Sequence, residues 1–303
     1  MRKRKIGQSD LYASELGLGT MSFKTKNEAI TIVRTAIERG VNFIDTADLY
    51  GFGEIESWIG EAIQHHREDV ILATKVGNRW EEGKTGWEWD PSKTYIKEAV
   101  KASLKRLNID YIDLYQLHGG TIQDPIEETI EAFEELKQEG FIRYYGLSSI
   151  RPNVIKKYLS ISNIVSIMLP YSLLDRRAEE LFPLLKEKQV SVIARGPLAK
   201  GALTEEDTIK TPSEGVLNYT KSEVLRLNEK IKTLGQRSNT ETALQFSLSE
   251  PTVASIIPGA SSLKQLEKNI EAVTKTKLSN EEIKTLKAWT KAAKFEKHRM
   301  LPR

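Results

Sequence analysis

Asp45, Tyr50, Lys75 and His118 bring a carboxylate, a phenol, an ammonium and an imidazole into one chain. Asp45 ends the apolar run Val41 to Ile44, and Tyr50 follows five residues later. Lys75 stands just beyond the run Val70 to Ala73, and His118 just beyond Tyr111 to Leu117. Each alone has an ordinary explanation. An aspartate after a strand is commonly a helix cap, a lysine there is solvated, and a histidine is hydrogen-bonded structure. Together they suit delivery of a proton. A free tyrosine, with a pKa of about 10, is a weak acid near neutrality. An adjacent ammonium favours the phenolate and makes a phenol a better acid. A carboxylate keeps the ammonium charged and oriented, and a neutral imidazole can hold the oxygen that receives the proton. That oxygen would be a developing alkoxide. An alkoxide arises from a carbonyl by hydride transfer, which needs a nicotinamide cofactor.

Such a set must be carried by elements that end at one rim. Eight short apolar runs punctuate the sequence: Leu16 to Gly19, Val41 to Ile44, Val70 to Ala73, Tyr111 to Leu117, Tyr144 to Leu147, Ile164 to Leu169, Val190 to Ala194 and Val253 to Ile257. They are apolar on both faces and bounded by turn residues, as buried parallel strands are. Amphipathic stretches alternate with them. Asn27 to Arg39 closes at Gly40. Ser92 to Leu107 carries Ile96, Val100, Leu104 and Leu107 at helical spacing. Ile126, Ile130, Phe133 and Leu136 follow Pro125 and close at Gly140. Arg176 to Glu187, Thr240 to Leu248 and Ser262 to Ala272 supply further helices. The count of eight predicts an α/β fold of the (β/α)8 TIM-barrel type, with catalytic groups at the C-terminal strand ends. A doubly wound open sheet is the alternative, but no G-x-G-x-x-G follows the first strand.

Two segments fall outside the alternation. Ala202 to Arg237 is a long loop at the C-terminal face, broken by Pro212 and Gly215, with a helical stretch from Ser222 to Leu234. Ser279 to Lys294 reads as a last amphipathic helix, and Phe295 to Arg303 as a loose tail or a flap. No linker or repeat divides the chain, so residues 1–303 read as one domain.

Composition excludes other chemistries. The chain has no cysteine, which rules out disulfides, thiolate zinc sites, iron–sulfur clusters and a cysteine nucleophile. A net charge of +3 gives no case for nucleic-acid binding. No stretch approaches the roughly 20 apolar residues of a membrane span. Met1 to Lys5 is basic but lacks the apolar core of a signal peptide, and reads as a short edge strand. These features predict a cytoplasmic protein without a membrane or nucleic-acid partner. His65, His66 and His298 read as solvated, and no residues have metal-ligand spacing.

The chain resembles the aldo-keto reductase superfamily along nearly its whole length, bacterial members above all. The resemblance is carried by Gly17-Leu18-Gly19-Thr20-Met21, by Phe43 through Gly51 (FIDTADLYG), by Leu72-Ala73-Thr74-Lys75 and by Asp113 through His118 (DLYQLH). It continues in Gly140 through Ser149 (GFIRYYGLSS) and Ile256 through Ala260 (IIPGA). It implies a barrel that binds NADPH without a Rossmann motif and reduces a small-molecule carbonyl. Asp45, Tyr50, Lys75 and His118 match the catalytic tetrad, with Tyr50 the general acid. Cofactor contacts are implied at Thr20, Met21 and Asp45, and at Ser148 and Ser149, the pair that would hold the nicotinamide carboxamide. Serine stands second in that pair where relatives often have asparagine. Met168 occupies a position where the family usually has glutamine, and a thioether cannot bond a carboxamide as an amide would. Arg195, Gly196, Pro197, Leu198 and Lys200 match a segment that often supplies an aromatic to stack on the nicotinamide. The flat guanidinium of Arg195 could stack instead, or bind the pyrophosphate. Gly259, Ser261, Ser262, Gln265 and Asn269 match the adenine end. There two hydroxyls at a helix N-terminus, with Lys264 and Lys268, favour NADPH over NADH, although the serines could merely cap the helix.

Substrate walls are less defined. Gly119-Gly120 after His118 predicts an open wall. The loop Gly77 to Pro91 places Trp80, Trp87 and Trp89 either over the substrate or against one another at the surface; Met21 to Phe23 is a second candidate wall. Two other functions fit less of the pattern. A cofactor-binding redox-sensing subunit with little turnover would keep the same residues. A hydrolase would use Asp45 and Asp48 as paired carboxylates, but Asp45 is better explained beside Lys75.

Overall fold

The computed structural model describes residues 1–81, 83–205, 215–235 and 237–299. The chain starts with an antiparallel hairpin of β1 (Lys3–Lys5) and β2 (Tyr12–Ser14). Eight parallel strands follow. They are β3 (Leu18–Gly19), β4 (Phe43–Asp45), β5 (Ile71–Val76), β8 (Ile112–Leu117), β9 (Ile142–Ser148), β10 (Ser166–Pro170), β11 (Ser191–Arg195) and β12 (Val253–Ile257). A small hairpin of β6 (Asn78–Arg79) and β7 (Glu88–Trp89) interrupts them. Each of the eight apolar runs thus contains or overlaps one parallel strand.

In the large sheet the strands neighbour one another in the order β12-β11-β10-β9-β8-β5-β4-β3. Parallel bridges Leu16↔Ile256 and Gly19↔Gly259 bring the two ends together and nearly close the barrel. Gly17 permits that closure, because a Cβ there would overlap Ile257 and the Phe43 ring. The barrel interior packs Phe43, Ile71, Ala73, Leu114, Met168 and Ile193 with Ile6 and Leu11 of the N-terminal hairpin. That hairpin is a plug under the barrel. Arg4 of β1 pairs with Glu15 at 2.7 Å and donates to the carbonyls of Leu248 and Val253 at 2.7 and 2.8 Å.

The helices cover the outside: α1 (Lys26–Glu38), α2 (Glu54–Ile63), α3 (Lys93–Leu107), α4 (Ile126–Gln138), α5 (Pro152–Ile161) and α6 (Phe182–Glu187). Later helices span Lys221–Lys232, Asn239–Leu248, Leu263–Thr274 and Asn280–Trp289. Thr25 and Ser92 cap α1 and α3 through their hydroxyls. The expected helix Arg176 to Glu187 divides into a 3-10 turn, Arg177–Glu180, and α6, where Pro183 sits in the first turn because its missing N–H costs nothing there. The last helix stops at Trp289, where Thr290 turns extended, rather than reaching Lys294. Of the expected loop breakers, Gly215 takes a φ of 91° and Pro212 lies outside the described residues.

The tail is held down as far as it is described; residues 300–303 lie outside the described residues. Phe295 is buried with the Arg177 guanidinium 4.8 Å above its ring, and Arg299 pairs with Glu180 at 2.9 Å. The N–H of Asn153 donates to the His298 carbonyl at 2.9 Å, which brings the tail onto the start of α5. Among the described residues no helix is long and apolar enough to cross a membrane.

Candidate active site

Asp45 ends β4, Lys75 lies near the end of the neighbouring β5, and His118 immediately follows β8. These adjacent strands open at the same rim. The Lys75 ammonium donates to Asp45 Oδ2 at 2.7 Å, to the Thr46 carbonyl at 2.8 Å and to the Tyr50 hydroxyl at 3.3 Å. All three directions of its positive charge are therefore used. Gln116 of β8 donates to the other Asp45 oxygen at 3.4 Å. Burial by itself would lower the Lys75 pKa, but Asp45 and Tyr50 outweigh it and hold the ammonium above the ordinary lysine range. Burial pushes the Asp45 carboxyl upward against the pull of Lys75.

Tyr50 sits on a sharp 3-10 turn, Tyr50–Gly53. Gly51, Phe52 and Gly53 take φ values of 57°, 48° and 90°, a conformation that needs outside support. Glu56 of α2 supplies it. Its fully buried carboxylate accepts from Thr74 at 2.6 Å and from Arg106 at 2.7 Å. Thr74 precedes Lys75, so the helix behind Tyr50 is tied to the strand that carries the lysine. Arg106 crosses directly over Gly53, leaving no room for a side chain there, and lies 5.6 Å from the Trp80 ring. Glu56→Ala would strand Arg106 and Thr74. The expected loss is about 2–3 kcal/mol in chemical denaturation, with reduced turnover, and an unchanged midpoint would contradict this role.

His118 meets the Tyr50 ring edge-on, with centroids 6.0 Å apart. Its Nδ1 is buried without a hydrogen-bond partner among the described residues. Burial, then the charges of Lys75 and Arg195, lower its pKa from 6.5 to about 3. The ring is therefore neutral at physiological pH and can donate or accept without carrying charge. In the unfolded chain it takes up its proton near pH 6.5, so the folded state binds fewer protons between about 6.5 and 3. This contribution to stability is complete above pH 6.5 and is lost as pH falls toward 3. The fall in melting temperature between pH 7 and pH 5 should shrink in His118→Gln, and an identical fall in both proteins would contradict the buried neutral ring.

The rim opens into a cleft of about 1110 Å3. It is lined by Asp45, Tyr50, Lys75 and His118 and by each residue expected to touch a cofactor: Thr20, Met21, Ser148, Ser149, Met168, Arg195, Gly196, Pro197, Leu198, Lys200, Gly259, Ser261, Ser262, Gln265 and Asn269. Thr20 anchors to the Asp45 carbonyl at 3.1 Å. Ser149 Oγ accepts from the Arg151 N–H at 3.2 Å, and Met168 forms part of the buried floor. Ser262 caps the helix Leu263–Thr274 by accepting from the Gln265 N–H at 3.3 Å, while Gln265 Oε1 accepts from the Ser261 N–H at 2.9 Å. The capping role read for these serines is thus present, and it leaves the Ser262 proton available. Lys264 and Lys268 also line the cleft.

Some expectations change. Trp80, Trp87 and Trp89 do not line the cleft. Trp80 packs against Phe52 at 5.8 Å, Trp87 is exposed, and Trp89 lies behind Gly77 and Gly119 with its indole donating to Asp124 at 3.0 Å. The tryptophans thus neither cover the cleft nor pack against one another, and Trp89 braces the backbone beside His118. Phe23 belongs to the core, so only Met21 and Ser22 of that segment reach the cleft. Asp48 is buried and does not line the cleft, and burial with the nearby Glu56 pushes its carboxyl well up. It cannot partner Asp45 as a hydrolase pair would require. His298, read as merely solvated, is exposed but lines the cleft mouth. Ile150, Arg151, Glu205 and Thr240 were not foreseen there. The adjacent Ser148-Ser149 was a signal for the first two; for the others the sequence carried none.

The profile of the Aldo/keto reductase family matches residues 15–291. The chain is 57% identical over 305 residues to "Uncharacterized oxidoreductase YqkF" of Bacillus subtilis, covering 99% of this chain and 100% of that one. It is 32% identical over 290 residues to L-galactose dehydrogenase of Arabidopsis thaliana, covering 89% and 88%. The holo form of the aldo-keto reductase AKR11C1 from Bacillus halodurans superposes with a TM-score of 0.96 at 56% identity, covering 99% and 100%.

Proposed function

The chain belongs to the aldo/keto reductase family of oxidoreductases acting on carbonyl compounds, and from that membership we propose that it reduces an aldehyde or ketone to an alcohol with NADPH. The observation that carries this reading is the Lys75 ammonium, bonded at once to Asp45 and to the Tyr50 hydroxyl beside a neutral His118.

The donor set fits a dinucleotide. Arg195 ends β11, Lys200 follows it, and Lys264 and Lys268 stand beyond β12, so cations lie along one side of the cleft where phosphates would run. Gly196 and Gly259 have no atom within 4 Å of where a side chain would begin, which leaves their backbone open to close approach. Ser148 and Ser149 would hold the carboxamide. A reduced nicotinamide, when bound, supplies the hydride. Tyr50 delivers its phenolic proton to the carbonyl oxygen as negative charge grows there. Lys75 stabilises the phenolate left behind, and Asp45 with Gln116 keeps Lys75 in place. Neutral His118 donates a ring N–H to the same oxygen and fixes its direction.

Deuterium labelling tests this directly. With NADPH deuterated at C4, the alcohol product should carry deuterium at the former carbonyl carbon; product without label would refute direct hydride transfer. The phosphate assignment has its own test. NADPH should bind at least tenfold more tightly than NADH, and Lys264→Ala with Lys268→Ala should narrow that gap. Equal dissociation constants for the two cofactors in the parent would remove the assignment.

A further inference from the structure

Among the described residues six cations line the cleft, against two carboxylates. Lys75 is matched by Asp45, and Glu205 is taken by the Thr240 N–H and hydroxyl at 3.1 and 2.9 Å. Arg195 ends β11, and Lys200, Lys264 and Lys268 lie after β11 and β12, the side assigned to phosphates. Arg151 is the exception. It follows β9, two strands from β11, and its guanidinium donates through Nη1 to the carbonyl of Gly120, two residues beyond His118. Two residues span at most about 7 Å, so the cation is anchored on the segment that carries His118, away from the β11 and β12 side. Arg151 has no ion pair among the described residues. Exposed apolar side chains line the same cleft, Ile150 beside Arg151 and Met21 beyond β3 on the opposite side of the barrel, 43% and 70% exposed.

Granting the reductase reading of the cleft, we infer that Arg151 forms a carboxylate subsite, and that the favoured substrates are aldehydes or ketones carrying a carboxylate on an apolar body. The hydrogen bond to Gly120 fixes one arm of the planar fork. Nε and Nη2 have no partner among the described residues and can meet a carboxylate side-on, the geometry for which a guanidinium is suited. The apolar side chains contact the body of the substrate, and the open Gly119-Gly120 wall lets it lie between the anion and His118. A cation on the segment that carries His118 also repels positively charged carbonyl compounds, so the subsite selects by exclusion as well as attraction.

The test compares 4-carboxybenzaldehyde with benzaldehyde in the parent, Arg151→Met and Arg151→Lys. The parent should favour the carboxylated aldehyde in kcat/KM. In Arg151→Met that ratio should fall about tenfold or more. Arg151→Lys, which keeps the charge, should retain a good part of the preference. Arg151 also props Gly120, so absolute rates fall for both aldehydes, and the ratio isolates the charge. A parent ratio near one, or a ratio unmoved by Arg151→Met, would overturn the subsite while leaving the reductase reading intact. Calorimetric binding of 4-carboxybenzyl alcohol against benzyl alcohol supplies a readout independent of turnover. Arg151→Met should weaken only the carboxylated ligand, and equal binding of both alcohols by the parent would overturn the subsite even if no carbonyl is reduced.

Discussion

Tyr50→Phe is expected to lower kcat by roughly a thousandfold or more, the range associated with loss of a positioned general acid. The substitution removes one oxygen. The ring stays edge-on to His118 and the turn at Gly51 to Gly53 is untouched, so NADPH should bind with an unchanged dissociation constant. Stability should move little, because the hydroxyl is only one of three acceptors around Lys75. Retained turnover would assign the proton to another group. Loss of cofactor binding with loss of turnover would show that the residue acts in binding rather than in chemistry.

Lys75→Met carries the second large effect, and it acts on two quantities at once. Turnover should collapse, because the phenolate has lost its cation. Stability should also fall by about 3–5 kcal/mol, since Asp45 would remain buried without its partner. The folded state holds the lysine proton above the ordinary value of 10.5, so the native ion pair contributes fully below that value. Its contribution is lost only as pH climbs through the raised folded value, and the deficit of Lys75→Met should be undiminished at neutrality. The double variant Asp45→Asn, Lys75→Met separates the effects. It should recover part of the stability, because no charge is left unpaired, while remaining inactive. A double variant less stable than either single one would contradict a simple buried pair.

The barrel was legible because its strands are covered on both faces and therefore read as unbroken apolar runs, as in β5 and β8, buried at every position. α5 was harder to read. It is only ten residues long, and just residues 162–165 part it from β10. Asp45, Lys75 and His118 were legible because each stands at or just beyond the end of an apolar run, where a parallel barrel exposes its side chains, and Tyr50 because it follows Asp45 by five residues. The tryptophan loop was not, because its packing is decided by Arg106 and Phe52, neither of which its own sequence names. Arg151 was missed for a related reason. Its place in the cleft depends on the Gly120 carbonyl, 31 residues away in the chain. His298 reaches the cleft mouth only because Asn153 and Glu180 hold the tail in place.

Consumption of NADPH with a panel of aldehydes and ketones, run beside Tyr50→Phe, tests the central claim most directly. Turnover by the parent on at least one carbonyl class, with none by Tyr50→Phe, is the predicted result. NADPH bound by both proteins and oxidised by neither, whatever carbonyl is offered, would contradict the reductase and turn the cleft into a cofactor-sensing site.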